Sequence, residues 1–372
     1  MRIGILTFHR AINYGAVLQC YGLKETLKAL GHDVEIIDYR PEYIERYRRI
    51  VPFYEIRRTP KWINKIKIFL SSIFSVFFTI NANKRFDDFL NNHFSFSKIV
   101  HIPSNLPQRY DAIIFGSDQI WSPQICFGFD SIYWGQFPHN TTRLITYAAS
   151  IGGHNKLKDE EWDILGSFLT SFEKISVREK QLQLDLKQKL GIDSHLVVDP
   201  TILANRFIFE NIATCPKNIP QNYVLVFSVA PTENLTDIAK LVALQTNSKI
   251  VTLKAKRTFS FSKKDIKESM YIYPTIEEFL GLFKYAKCVI TVSFHGTVFS
   301  VLFRKNFYSL QNYMQDRAQH FLDEIGLSYR MIPTDKESIR NFHFEPINYN
   351  KVEDKINSLK QSSLKYIHSI IE

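Results

Sequence analysis

Short apolar runs that end in polar tips recur along the chain, separated by stretches long enough to hold a helix. RIGILTF at the start reads as a compact strand. NYGAVLQCYGLKETLKALG then sets Val17, Leu18, Tyr21, Leu27 and Leu30 at helical spacing and stops at Gly31, after which HDVEIIDY reads as a second strand. A strand, helix and strand of this length predict a parallel βαβ unit with a right-handed crossover. The same rhythm continues through YDAIIFGSD, TRLITYAASIG, a helix around Glu160 to Phe172, EKISVRE and HLVVDPT. It restarts with the strand YVLVFSVA, the helix LTDIAKLVALQT, the strand SKIVTLK, the helix TIEEFLGLFKYA and the strand KCVITVS. The pattern predicts an α/β fold, two Rossmann-like domains with helices on both faces of parallel sheets.

Interruptions of the rhythm set the boundaries. ANRFIFENIATCPKNIPQN has the Asn and Pro content of a linker, so the first domain is expected over 1–205 and the second over 206–349. From Asn350 onward, Val352, Ile356, Leu359, Leu364, Ile367 and Ile371 keep broadly helical spacing; this 350–372 helix is expected to close the fold and cross back to the first domain. Residues 44–94 break the alternation with a basic, then aromatic, then apolar insertion. It reads either as a helical hairpin packed on the first domain or as an interfacial helix docked on anionic lipid, a peripheral membrane contact. Its apolar run from Ile68 to Ile80 falls short of the ~20 residues of a spanning helix.

A chain of 372 residues suits two cores, and 45% hydrophobic with 23% charged residues is the balance of a folded protein. The net charge of +10 comes with no nucleic-acid-binding motif; an anionic small substrate or an anionic membrane surface accounts for it equally well, and no nucleic-acid partner is expected. Cys20, Cys126, Cys215 and Cys288 are widely spaced and form no zinc or disulfide framework. The N-terminus lacks a signal-peptide pattern, so a cytoplasmic location is expected. DxD, HExxH and GxSxG patterns are missing, which counts against metal-dependent and serine-hydrolase chemistry; no metal site is expected.

In open parallel sheets, ligands bind beyond the carboxyl ends of strands, where helix N-termini point their N–H groups outward. Four stretches occupy such places. Asn13-Tyr14-Gly15 precedes the first helix, as a weak anion loop or a plain turn. Ser117-Asp118-Gln119 with Trp121 offers carboxylate, amide and an aromatic plate for a sugar; the alternative is a helix cap and a packing Trp. Arg178 ends an apolar strand, where its fork can hold a carboxylate or phosphate or else pair with Glu179 or another nearby acid. Ser293, His295, Gly296 and Thr297 form a strand-to-helix turn whose position favours a catalytic histidine over a merely packed one. Arg304, Lys305 and Arg317 follow in the same domain.

NYGAVLQ, FGSDQIW, YAASIG, SVRE, VVDPT, SFHGTVFS and DRAQHFLDEIGL, in this order, resemble the polysaccharide pyruvyl transferase family. The resemblance implies a GT-B-like arrangement with the active site in the interdomain cleft, the first domain on the acceptor side and the second on the donor side. It implies transfer from phosphoenolpyruvate, as co-substrate without any other cofactor, to a glycan. The product would be a cyclic pyruvate ketal with release of phosphate, the acceptor a lipid-linked intermediate of capsule or exopolysaccharide synthesis. His295 then matches the general acid and Arg178 the donor-binding arginine. Ser293, Gly296, Thr297, Arg317 and Arg304 are expected around the donor, and Asn13, Tyr14, Gly15, Ser117, Asp118, Gln119 and Trp121 around the acceptor. Many members carry arginine two residues before the histidine; Ser293 stands there here, so Arg317 or Arg304 is expected to supply the cation. The competing functions are a GT-B glycosyltransferase using a nucleotide sugar and an inactive, glycan-binding relative.

Overall fold

A computed structural model describes residues 1–371 other than 47, 52, 108, 140, 153–156, 230–231, 233, 255–268, 312–315 and 336–343. The chain divides into two compact units: Met1–Ile68, Leu90–Ala204 and Ser358–Glu372 form the first, Phe69–Phe89 and Asn205–Asn357 the second.

In the first unit, β1 (Arg2–Leu6) leads into α1 (Tyr14–Ala29) and β2 (Asp33–Ile36). The short helices α2 (Glu42–Glu45) and α3 (Phe53–Arg58) and the long α4 (Trp62–His93), whose Phe69–Phe89 stretch belongs to the second unit, precede β3 (Ala112–Phe115), and α5 (Pro123–Cys126) separates β3 from β4 (Arg143–Thr146). These strands form a parallel sheet in the order β2-β1-β3-β4. Next come α6 (Asp159–Leu169), β5 (Ser176–Val177), α7 (Lys180–Leu190), β6 (His195–Leu196) and α8 (Pro200–Leu203), which packs on α1. The parallel pair β5-β6 extends the sheet through bridges from Ile145 to Lys174 and from Ala149 to Val177. Helices cover both faces, so β1 and β3 are apolar at nearly every position and Ile3, Ile5, Ile113 and Ile114 are buried. Each fully buried aliphatic side chain of this kind contributes roughly 1.5–3 kcal/mol.

In the second unit, α9 (Phe207–Ile212) precedes β7 (Tyr223–Ser228), α10 (Leu235–Gln245), β8 (Lys249–Leu253) and β9 (Met270–Ile272). Then follow α11 (Ile276–Tyr285), β10 (Cys288–Val292), α12 (Phe294–Leu302), β11 (Asn306–Leu310), α13 (Asp316–Ile325) and β12 (Met331–Ile332). All six strands are parallel, ordered β12-β11-β10-β7-β8-β9. Phe227, Phe279, Phe283 and Phe299 pack edge-on or tilted, with ring centroids between 4.9 and 6.2 Å apart. The last helix, α14 (Asn350–Ile371), begins in the second unit and ends in the first. There the Tyr366 hydroxyl donates to Thr146 O at 3.0 Å, and Ser363 Oγ accepts from Val198 N at 3.0 Å.

Two expectations are corrected. Residues 44–94 form no helical hairpin; they form two short helices and the single helix α4, which bends by 63° between Ile73 and Ser75. Neither Gly nor Pro falls between Trp62 and His93, so nothing in the stretch forces the chain to turn back on itself. The stretch read as a linker also contains structure: Phe209 of α9 is buried and meets the Phe299 ring at 5.4 Å. Its apolar FIF triplet wins over the prolines that follow. Among the described residues, no single helix is long and apolar enough to cross a membrane.

Candidate functional site

Each sheet has a point where its strand order reverses, and there the loops part and leave room at the carboxyl edge. In the first unit this lies between β1 and β3, whose ends pair Leu6 with Phe115. In the second it lies between β7 and β10, whose ends pair Ser228 with Val292. Of the sequence-derived candidates, Asn13, Tyr14 and Gly15 follow β1, Ser117, Asp118, Gln119 and Trp121 follow β3, and Ser293, His295, Gly296 and Thr297 follow β10.

At the first edge the chain turns sharply after β3. Gly116 has φ +109°, and a Cβ there would stand 2.3 Å from Tyr147 O, so only glycine fits. Ser117 is buried; its carbonyl accepts from Thr7 Oγ1 at 2.7 Å and its hydroxyl donates to Ala148 O at 3.1 Å. Asp118, at φ +78°, accepts from Gln119 N at 2.9 Å, and both side chains remain half-buried. Trp121 is no open plate. Its ring is buried, stacked on Trp134 at 4.6 Å, and its indole N–H donates to Tyr133 O at 3.0 Å, so a sugar would meet neither face. The expectation of a sugar-stacking Trp is corrected to a core residue, because the neighbouring Trp134 supplies the partner that a sugar would have been.

Asn13 is the N-cap of α1, its Oδ1 accepting from Gly15 N at 2.9 Å and Ala16 N at 3.3 Å. Tyr14 and Gly15 lie buried in the first turn of that helix. This loop is therefore built as a cap.

Arg178 follows β5 at the same edge. One of its terminal nitrogens reaches Asp199 Oδ2 at 2.5 Å, and its Nε lies 3.6 Å from Glu179 Oε1. Burial works against the guanidinium charge, but Asp199, Glu179 and Asp118 outweigh it and raise the pKa above the usual arginine value. Asp199 is fixed in turn: as N-cap of α8 it accepts from Thr201 N at 3.0 Å and from Thr201 Oγ1 at 2.7 Å. Glu179 accepts from Ser150 Oγ at 2.5 Å. Of the two readings of Arg178 from sequence, the geometry shows the pairing with Glu179 and another acid, Asp199.

A second charged knot stands on the β1 loop. Both ring nitrogens of buried His9 are engaged, one with Thr7 O at 3.2 Å and the other with Asp38 Oδ1 at 3.1 Å. Arg40 completes the grip on Asp38 with contacts of 3.0 and 2.6 Å. Burial pushes this carboxyl up, yet the hydrogen bonds from His9 and Arg40 prevail and hold it well below the usual carboxylate range.

The second edge is of another kind. Ser293 caps α12, its Oγ accepting from Gly296 N at 3.3 Å. A Cβ on Gly296 would come within 2.1 Å of Thr291 Oγ1 and 3.0 Å of Phe227 Cδ1; the glycine lets the helix approach the sheet. Thr297 is buried, donating to Ser293 O at 3.1 Å and sharing a hydrogen bond of 3.0 Å with Ser309 Oγ. His295, in the first turn, stays half-buried with its ring 5.2 Å from that of Phe294. Arg317 lies over that same Phe294, its guanidinium 5.4 Å from the ring. No acid stands in the first turn of α12, so the positive helix end is not offset there.

Arg304 does not join this group. It sits just past the C-terminus of α12, about 13 Å of helix from His295, and pairs with Glu353. The expectation that it supplies the missing cation is corrected: the helix carries it to the opposite end of the element. Sequence reading passed over His9, Asp38 and Asp199 as site residues. The Asp-Pro-Thr of VVDPT was a readable N-cap signal; His9 and Asp38 carried none, because their pairing depends on adjacent strands. Among the described residues no cluster of ligating side chains could hold a metal ion.

The fold is that of GT-B-type sugar enzymes. The UDP-GlcNAc 2-epimerase from Neisseria meningitidis bound to UDP-GlcNAc is similar with a TM-score of 0.52 and 10% identity, over 98% of this chain and 94% of that one. The UDP-GlcNAc 2-epimerase from Methanocaldococcus jannaschii gives 0.47 and 13%, over 97% and 99%. A comparison with curated proteins finds no match. The family model for polysaccharide pyruvyl transferase matches residues 13–313. The chain belongs to the polysaccharide pyruvyl transferase family.

Proposed function

We propose that the protein transfers the enolpyruvyl unit of phosphoenolpyruvate to two hydroxyls of a glycan, forming a cyclic ketal and releasing phosphate. The observation that carries this reading is His295, half-buried on the first turn of α12 just past the carboxyl end of β10. A protonated imidazole there would deliver its proton to C3 of the enol. The first sugar oxygen would bond to C2; the C2–O bond to phosphate would break, and the second oxygen would close the ketal. The two hydroxyl protons lost balance the one gained by C3 and the one gained by phosphate. The dipole of α12 and the Arg317 guanidinium suit the donor's two anionic groups. Asp118 and Gln119 are the half-buried polar groups suited to acceptor hydroxyls.

The test is acceptor-dependent phosphate release from phosphoenolpyruvate with free and lipid-linked glycans. Changing His295→Ala should lower the rate roughly 10²- to 10⁴-fold without lowering the melting temperature. Equal rates for the variant and the parent, or no release with any acceptor, would overturn the proposal. In a thermal-shift series, stabilisation by a nucleoside diphosphate and none by phosphoenolpyruvate would favour a nucleotide-sugar glycosyltransferase instead.

A further inference from the structure

The structure assigns the Trp62–Ile73 segment of α4 a docking role: it lies on the surface of an anionic phospholipid bilayer. This goes beyond the catalytic proposal and uses none of its residues.

Six large apolar side chains on this segment are exposed: Trp62 at 68%, with Ile63, Ile66, Phe69, Leu70 and Ile73 all above two fifths. At 100° per residue they fall within an arc of about 120°, one continuous stripe along the helix. Lys65 and Lys67 lie about 40° outside either edge of that arc, where long side chains bury their stems against acyl chains and keep their ammonium groups among phosphates. Lys61 stands just before the helix and Arg57 and Arg58 end α3. Residues 56–86 hold seven basic side chains and no acidic one. This charge selects the occupant. An apolar stripe flanked by cations on both sides matches an anionic interface, whereas a second copy of the same helix would bring those cations together. Length excludes a span by this segment, since twelve residues cover about 18 Å of a hydrocarbon core about 30 Å thick.

The full chain carries its own reporter. Of its four tryptophans, Trp121, Trp134 and Trp162 are buried, so a blue shift on adding vesicles reads Trp62. Vesicles of phosphatidylcholine with phosphatidylglycerol are expected to give the shift and pure phosphatidylcholine vesicles little. Lipids brominated near the headgroup should quench it, those brominated near the bilayer centre should not. Replacing Lys61, Lys65 and Lys67 by Gln should weaken binding on the order of 100-fold at low salt. Ile66→Ser with Phe69→Ser should abolish the shift while the melting temperature holds, because both side chains are exposed. Binding that ignores lipid charge, quenching from the bilayer centre, or no vesicle binding together with self-association lost in the Ile66/Phe69 variant would each overturn the proposal. None of these readouts involves turnover, so the outcome is independent of whether phosphoenolpyruvate is the donor.

Discussion

The carboxyl edges of the two sheets occupy equivalent places in similar topologies and are built from opposite materials. At the first, acids and bases are buried against each other: Arg178 with Asp199 and Glu179, and Asp38 between His9 and Arg40. At the second, a serine cap, a glycine and a buried threonine share the helix start with one histidine, and the positive helix end faces no acid of its own first turn. The first edge sets its charges against one another. The second leaves its positive helix end without an acid in the first turn, as the proposed donor site requires. The difference teaches that a candidate arginine and a candidate histidine, equally suggestive as letters, can hold opposite jobs.

Asp199→Asn should test this contrast with the largest effect on stability. Removing one partner of a buried ion pair leaves the other charge uncompensated and typically costs about 3–5 kcal/mol. Asn also gives up part of the grip on Thr201 at the start of α8. A denaturant titration should therefore show a marked loss, and combining Arg178→Met with Asp199→Leu should recover much of it. His295→Ala should leave the same titration unmoved. If Asp199→Asn proves as harmless as His295→Ala, the first edge is not the self-neutralised scaffold described above.

Acid should separate the edges next. The folded-state pKa of Asp38 is depressed, so its contribution is fully present above the unfolded carboxyl value of about 3.9 and is lost as pH falls through the lower folded value. The melting temperature should drop on the acid side below about pH 4, and Asp38→Asn should start lower and flatten that limb. A variant whose acid limb matches the parent would show that Asp38 binds its proton equally in both states.

How legible was this in the letters? Alternating strands and helices were, since a parallel sheet covered on both faces needs continuous apolar runs such as IGIL, AIIF and CVITV, and these have few other uses. His295 was legible because a strand end and a helix start are both local signals. The state of Arg178 was legible only in part: pairing with Glu179 or another nearby acid was one of its readings, but Asp199, at the N-cap of α8, is brought to it by the fold and by no local pattern. Trp121 misled for the same reason, its stacking on Trp134 being a matter of tertiary packing. Of the two readings of residues 44–94, the hairpin failed because a continuous apolar stretch does not by itself show whether the chain turns back.

The smallest effect falls on Ser293, where the family resemblance and the geometry make different demands. Its hydroxyl caps α12, and loss of such a cap costs typically about 1 kcal/mol. An arginine at this place, as many relatives carry, would add a cation near His295 but could not accept from Gly296 N. Ser293→Ala should therefore lower stability by about 1 kcal/mol. Ser293→Arg should lower stability by a similar amount while tightening phosphoenolpyruvate binding, seen as a larger thermal shift at fixed ligand concentration. If Ser293→Arg binds no better than Ser293→Ala, the cation that matters is already present, and Arg317 beside Phe294 is the side chain placed to be it.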